Sequence, residues 1–411
     1  MAGTRQPSEA AEKELKGDSP LQSLEDDEFG LAEITLSISR ILATRISADG
    51  YVLGLEGAWG SGKSTLANFI AEQLAKYNEH VVVRFEPWLI GERNALIAAF
   101  LGQLAQKIEV VESQQNHSWH PSRWRLGRLS KRLSGKMRRY GEYMGAFAVP
   151  IGSASALDPT GSTALAATGL KTASVFAKFF GKAPSIEQLK AEIVSGLHAI
   201  RDLLANIRFT VIIDDTDRLE PYEAVELLRL VRKVADFPFV TYVICFDANV
   251  LSQQVNHALE IQDGRLYIEK IFQDVVHVPP QEPFALRRYL QRLLKQSFPI
   301  EMGSSLDDHE VQFRKEALFN RWCGLLVNTP RDVVRLYQAV ELAWPYVPKG
   351  LDFLDFVWLQ LLKLKWPDLY LWTRDYLRDV GSYRDRGRVA DKERAAEAQR
   401  LLKLLELPSV A

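Results

Sequence analysis

Cysteine is nearly absent from this sequence of 411 residues, and so is an excess of charge of either sign. Its two cysteines, Cys245 and Cys323, cannot form a disulfide framework, and neither stands in a spacing typical of zinc ligands. We therefore expect a reducing compartment. Because the formal net charge is −1, a globally basic nucleic-acid-binding protein is excluded, whereas local basic patches are not.

Long apolar runs are also missing, although a membrane-spanning helix needs about 20 predominantly apolar residues. The apolar segment 144–157 contains Pro150, and the segment 164–180 is broken by Lys171 and Lys178. These segments therefore favour a soluble or surface-associated insertion over a transmembrane hairpin.

The first 28 residues are acidic and poor in large apolar side chains. They contain eight acids and three bases, with no helical or strand periodicity. We interpret residues 1–28 as a disordered acidic head, without the apolar run that a secretory signal needs.

A glycine-rich stretch, GLEGAWGSGKST (54–65), stands between a strand-like run and a helical pattern. YVLGL (51–55) predicts a short buried strand, and residues 64–77 repeat apolar residues at helical spacing. Residues 57–64 fit GxxxxGK[ST], the phosphate-binding loop whose backbone N–H groups and helix N-terminus surround a polyphosphate. The strand, loop and helix order is the context that this motif requires.

The loop pattern predicts ATP and Mg²⁺ as cofactors and assigns contacts to individual residues. Lys63 is expected to reach the β and γ phosphates, and the Ser64 hydroxyl is expected to ligate Mg²⁺. The other predicted nucleotide-binding residues of the loop are Gly57, Ala58, Trp59, Gly60, Ser61, Gly62 and Thr65.

A second signal is the hydrophobic run VII (211–213), which ends in Asp214 and Asp215. We assign Asp214 to the metal and Asp215 to the base that polarises the attacking water. The alternative is an ordinary strand end with solvated acids. Asp217 adds a third carboxylate, and carboxylates so close together favour a cation among them, supplied by Mg²⁺ with Arg218 nearby. An exposed turn is the alternative there.

Four further runs rich in β-branched residues predict strands, at 80–85, 209–214, 239–247 and 274–278. They show little alternation and are mostly separated by helical patterns, which indicates an α/β fold with a mostly parallel sheet. Strand signals stop near Pro283. The predicted organisation is a core of 29–112 and 183–282, an insertion at 113–182, and an α-helical C-terminal domain at 283–411.

Several further segments follow a definite order along the chain: GAWGSGKS (57–64), FEPW (85–88), DDTDR (214–218), CFD (245–247), YIEKIFQ (267–273) with VPP (278–280), and TPRDVVRL (329–336). These segments, in this order, resemble those of the KAP family of P-loop NTPases. The resemblance implies an ASCE-type ATPase core with an insertion between the two Walker motifs. Lys63 and Asp214 lie 151 positions apart, which leaves room for that insertion.

Two arginines and one further aspartate are also candidates. By similarity to ATPases with helical lids, Arg331 is expected to sense the γ-phosphate from the start of a helix that also carries Arg335; a structural ion pair is the alternative. Arg218 is a candidate for supplying charge to the transition state. Asp247 either lies near the γ-phosphate or caps the helix that starts at Ala248.

Residues 113–141 contain eight bases and no acid. The bases are Arg123, Arg125, Arg128, Lys131, Arg132, Lys136, Arg138 and Arg139. The stripe Leu126, Leu129, Leu133, Met137 and Tyr140 follows a helical period. A basic amphipathic helix of this kind lies on an anionic membrane, binds nucleic acid, or covers the protein's own core.

The sequence thus predicts a cytoplasmic ATPase whose hydrolysis drives a conformational or assembly switch, with placement at the inner face of a membrane left open. A slowly hydrolysing scaffold that recruits a protein, membrane or nucleic acid is the alternative, and a small-molecule kinase is a weaker one. Homo-oligomerisation stays open. A role in bacterial defence against phage follows only by family analogy.

Overall fold

The computed structural model describes residues 19–44, 50–77, 79–90, 93–114, 122–147, 186–203, 207–303, 323–348 and 350–378, with isolated positions 317, 320, 321 and 396. These residues form two compact units. One unit contains Pro20–Trp59 and Lys63–Val278. The other contains Gly60–Gly62 and the described chain from Pro279 onwards.

A five-stranded parallel sheet forms the centre of the first unit. Its strands are β1 Tyr51–Glu56, β2 His80–Phe85, β3 Arg208–Ile213, β4 Val240–Phe246 and β5 Asp274–His277. They lie in the order β2-β3-β4-β1-β5, and every neighbouring pair is parallel. The predicted α/β P-loop fold is confirmed, and each strand lies within a residue of its predicted bounds.

Each face of the sheet is covered by helices, because successive strand side chains point to opposite sides. Helices α1 Ala32–Thr44 and α2 Lys63–Ala75 cover one face, where their apolar residues pack with Leu53, Ile212 and Val243. Helix α3 Arg93–Gln114 contributes to the other core, which contains Val211 and Ile244.

The chain between β2 and β3 continues beyond α3 into α4 Ser122–Phe147 and α5 Ile186–Leu203, and α4 packs against both α3 and α5. The apolar stripe of α4 is part of the core: Leu126, Leu133, Met137 and Tyr140 are buried, and Leu129 packs against them. The apolar stripe therefore covers the protein's own core, which is the third of the three interpretations of this helix.

Most of the apolar segment 144–157, and all of 164–180, lie outside the described residues. Within the part that the structure describes, no helix has the length and apolar character needed to cross a bilayer.

The acidic head is described only from residue 19 onwards. Leu21 and Leu24 pack against the core beneath α2, where Glu72 accepts a 2.7 Å hydrogen bond from the Leu24 backbone N–H. The Asn68 side chain donates to the Leu21 carbonyl at 2.9 Å. The end of the segment predicted to be disordered is thus held on the core, while residues 1–18 lie outside the described chain.

After β3 the first unit contains α6 Pro221–Arg229, extended by the π-helix Leu230–Val234, then α7 Ala248–Leu259 and α8 Gly264–Glu269. The second unit is helical in its described residues: α9 Pro283–Ser297, α10 Pro299–Gly303, α11 Pro330–Ala343, α12 Phe353–Lys365 and α13 Pro367–Arg378. Its core includes Trp344, which packs edge-on against Phe353.

Candidate nucleotide-binding site

The glycine loop begins where β1 ends, at the carboxyl edge of the sheet. Gly57 N donates to the Phe246 carbonyl at 3.1 Å, which ties the loop to β4. Gly54, inside β1, leaves space for two aromatic rings: a Cβ there would lie 2.7 Å from a ring carbon of Phe246, and this ring stacks on Phe272. A side chain at Gly54 would therefore displace the strand that leads into the loop.

The loop backbone has the conformation that the motif requires. Gly60 and Gly62 have φ values of 81° and 98°, a region that favours glycine. Ser61 has a buried hydroxyl oxygen with no hydrogen-bond partner in the described structure. Helix α2 starts directly afterwards at Lys63, so its first backbone N–H groups are available to an anion. An orphan hydroxyl in this loop fits a ligand rich in acceptor oxygens.

The Lys63 ammonium is buried and held by three oxygens. It donates to the carbonyls of Gly57 at 2.8 Å and Ala58 at 3.4 Å. Its ion-pair partner is Asp217, whose Oδ2 lies 3.0 Å away, and both side chains are at most one-tenth exposed. The other Asp217 oxygen accepts from Asp247 N at 2.8 Å. Asp217 therefore links the loop lysine to the end of β4, a connection that the sequence analysis missed.

Asp214 and Asp215 follow β3 at the same edge. The Asp214 carboxylate accepts from Asp215 N at 2.8 Å and contacts the buried Cys245 thiol. Asp215 has a φ of 56°, in the left-handed region that non-glycine residues seldom adopt. Burial, followed by the charge of Asp214, raises the pKa of the Asp215 carboxyl, and Arg218 opposes that rise.

Arg218 pairs with Asp215, its Nε lying 3.2 Å from Oδ1. Its guanidinium lies 4.9 Å from the ring centroid of Trp88 and 5.9 Å from that of Trp59. The Trp88 side chain also lies near Asp215, where it lowers the pKa of that carboxyl. Trp88 was not among the predicted site residues, although the FEPW segment contains it.

The end of β4 supports this cluster. Thr216 Oγ1 donates to the Cys245 carbonyl at 2.6 Å, which fixes the turn after Asp215. The Asp247 side chain accepts from Asn249 N at 2.9 Å, so Asp247 caps α7, the second of its two predicted roles.

Arg331 lies in the first turn of α11, which Thr329 begins through a capping box with Asp332. Gly60 belongs to the same compact unit as this helix. A Cβ on Gly60 would lie 3.1 Å from Arg331 Cβ and 3.2 Å from Thr329 Oγ1. Within this unit, the start of α11 is therefore packed against the tip of the loop.

Ser64 and Thr65 lie half-buried in the first turn of α2. The described residues form no group of three or more His, Cys, Asp or Glu side chains placed to hold a metal by themselves. Mg²⁺ in phosphate-transfer sites takes one or two protein ligands together with phosphate oxygens and water. The Ser64 hydroxyl and the Asp214 carboxylate have the chemistry for such a shared site.

The fold and the site together define a P-loop NTPase. Strand β1 leads into the GxxxxGK[ST] loop, helix α2 starts at the loop lysine, and strand β3, two places from β1 in the parallel sheet, is followed by acidic residues. The model of the KAP family P-loop domain matches residues 32–347. The chain belongs to the KAP family.

A curated relative is the phage T7 exclusion protein of Escherichia coli strain K12, which is 28% identical over 373 residues. The match covers 88% of this chain and 48% of the relative, so the chain spans about half the length of that protein.

Among solved structures, the ORC1 protein of Aeropyrum pernix in complex with DNA is 12% identical to this chain, with a TM-score of 0.36. The match covers 96% of this chain and 81% of the ORC1 chain. A single-residue variant of RuvB from Thermotoga maritima is also 12% identical, with a TM-score of 0.36. That match covers 88% of this chain and 80% of the RuvB chain. These scores add nothing to the fold, which the sheet order and the family match establish.

Proposed function

We propose that this protein is an ATPase that binds Mg·ATP at residues 57–65 and couples hydrolysis to a conformational or assembly switch. The observation that carries this proposal is the convergence of Lys63 with the acids after β3, seen in its 3.0 Å ion pair with Asp217. Lys63 and this acid are more than 150 positions apart in the chain, yet the parallel sheet brings them to one edge.

In this proposal Lys63 and the loop amides hold the phosphates, while Ser64 and Asp214 hold the metal. Bound Mg²⁺ would supply charge neutralisation on the phosphate oxygens. Because Lys63 already has an anionic partner, phosphate oxygens would compete with Asp217 for the ammonium. An Asp217 released from Lys63 would still accept from Asp247 N, so the change at the loop reaches β4 and α7.

Asp215 is proposed as the base that orients and deprotonates the attacking water. Its raised pKa makes it a stronger base than an ordinary aspartate, provided that it is ionised at the working pH. Arg218 pairs with its carboxylate. Arg218 is also proposed to supply charge to the transition state, and Arg331 is proposed to sense the γ-phosphate by similarity to ATPases with helical lids.

Nucleotide binding and phosphate release by the wild type, Lys63→Ala and Asp215→Asn test this proposal. Lys63→Ala should lose ATP binding, whereas Asp215→Asn should bind ATP and turn over slowly. A wild type that binds Mg·ATP without releasing phosphate under any condition would contradict the hydrolysis step. Failure of the wild type to bind Mg·ATP would contradict the whole proposal.

A slowly hydrolysing, nucleotide-gated scaffold is the second candidate, and the Arg218–Asp215 ion pair favours it. Arg218 lowers the pKa of the Asp215 carboxyl that it pairs with, which makes Asp215 a weaker base and slows hydrolysis. Steady-state phosphate release with and without DNA, RNA or liposomes distinguishes the two: a large stimulation indicates a gated ATPase, and a uniformly negligible rate indicates the scaffold.

Phage exclusion is the proposed biological role, because the E. coli relative is named for it. The efficiency of plating of T7 on cells that express the wild type or Lys63→Ala tests this role. Exclusion that depends on Lys63 supports it, and equal plating on both strains contradicts it.

A further inference from the structure

One face of α4 presents a row of exposed basic side chains, here called the basic stripe. Its members are Arg128, Lys131, Arg132, Arg138 and Arg139. Their spacing of three, four, ten and eleven residues from Arg128 places them on one side of the helix. Gly135 lies in the middle of the same face and leaves it flat.

The charge of the basic stripe is only partly balanced. Arg138 lies 3.4 Å from Glu109 of α3, and that pair is largely exposed. Lys131, Arg132 and Arg139 form no ion pair with any residue that the structure describes. Like charges at spacings such as Arg128 and Arg132 destabilise a helix by roughly 0.2–0.5 kcal/mol per pair. The stripe therefore does not serve the stability of α4.

The opposite face of α4 is unavailable to a partner, because its apolar residues are in the core. No large hydrophobic side chain is exposed on α4 wherever its side chains are described. A helix that lies in a membrane interface needs an apolar face to insert, and stable attachment normally takes a second signal besides charge. Non-specific nucleic-acid binding, by contrast, is supplied essentially by phosphate contacts alone.

We propose that the basic stripe of α4 binds the phosphate backbone of nucleic acid without reading its sequence. From Arg128 to Arg139 the stripe is about 17 Å long, at 1.5 Å per residue. That length matches about five base pairs of duplex at 3.4 Å per phosphate along each strand. Four of the five bases are arginines, whose planar guanidinium groups bind phosphate oxygens in pairs.

The experiment is fluorescence anisotropy of a labelled random-sequence DNA duplex over a series of NaCl concentrations. The test variant is Lys131→Gln, Arg132→Gln and Arg139→Gln together. The matched control is a triple variant of α9, which removes three exposed bases with the same change in net charge: Arg288→Gln, Arg292→Gln and Lys295→Gln together. A third variant, Lys131→Arg, Arg132→Lys and Arg139→Lys, keeps every charge on α4.

Losing three phosphate contacts should reduce the slope of log K against log[NaCl] by about 2.7 and weaken binding on the order of 100-fold at about 0.1 M salt. The α9 control and the charge-keeping variant should retain the wild-type slope. Three results would overturn the proposal: no wild-type binding at low salt, an equal loss in the α9 control, or stripe-dependent binding to phosphatidylserine vesicles in place of DNA.

Circular dichroism verifies that the test variant is folded. The test variant should also bind Mg·ATP as the wild type does, because none of its three substituted residues lies in the ATP site, so binding at this surface and binding at the ATP site are tested separately.

Discussion

The carboxyl edge of the sheet and helix α4 both concentrate charge, but in opposite environments. At the sheet edge, Lys63 and Asp217 are buried, paired and tied to the backbone of two strands. On α4, Lys131 and Arg132 extend into solvent. Buried charges are fixed in position and expensive to leave unpaired, whereas exposed charges act weakly and collectively. Single substitutions should therefore be severe at the sheet edge, and mild on the exposed face of α4.

The largest effect is expected from Lys63→Met. It removes the phosphate ligand and leaves the buried Asp217 carboxylate without its cation, which costs about 3–5 kcal/mol of folding free energy. ATP binding should be abolished, and urea unfolding should show the lost stability.

Adding Asp217→Asn to Lys63→Met separates the two roles of the lysine. The double variant should regain most of the stability and none of the ATP binding. If the double variant is as unstable as the single one, the ion pair does not account for the loss.

The next effect concerns Asp215→Asn, which keeps the side-chain shape and removes the base. Turnover should fall by roughly 10²–10⁴-fold, a typical contribution of a general base, with ATP affinity little changed. Asp202→Asn on the exposed face of α5 is the matched control for phosphate release. Equal turnover in Asp215→Asn and the wild type would remove Asp215 from this role.

The two faces of α4 can be compared directly. Leu133→Ala should lower the free energy of unfolding by about 2–5 kcal/mol, because it leaves a cavity in the core. Lys131→Ala, two positions away on the exposed face, should change it by less than about 0.5 kcal/mol. Chemical denaturation of both variants measures the contrast, and equal effects would mean that α4 is not packed as described.

The smallest predicted effect is a shift in pH dependence. Arg218 lowers the pKa of Asp215 against the larger upward effect of burial, so Arg218→Gln should raise that pKa further. A base acts only above its pKa, and the acid limb of the turnover profile should therefore move to higher pH. Arg265→Gln, exposed on α8, should leave the limb in place. If the acid limb of Arg218→Gln is unchanged or moves to lower pH, the assignment of Asp215 as the base is contradicted.

Much of the fold was predictable because its signals are local. Runs of β-branched residues located all five strands, and the spacing around Lys63 located the loop between β1 and α2. The order of the strands and the partner of Lys63 were not predictable from local patterns. Asp217 meets Lys63 only because a short turn after β3 reverses beside the end of β4, and no sequence spacing encodes that approach.

The apolar stripe of α4 shows a different limit of sequence reasoning. Leu133 and Met137 follow the same period whether they face a membrane or a core. Only the packing of α3 and α5 on that stripe decided between them. The ion pair between Arg218 and Asp215 was likewise beyond sequence, although Arg218 itself was a candidate residue, since the pair depends on the left-handed backbone of Asp215.

Isothermal titration calorimetry with Mg·ATP is the most direct test of the central claim, that the loop around Lys63 and the carboxylate of Asp214 converge on one nucleotide. The account predicts heat of binding for the wild type, none for Lys63→Ala, and a loss of the Mg²⁺ dependence in Asp214→Asn. A folded wild-type protein that releases no heat, or an Asp214→Asn variant that keeps its full Mg²⁺ dependence, would contradict it.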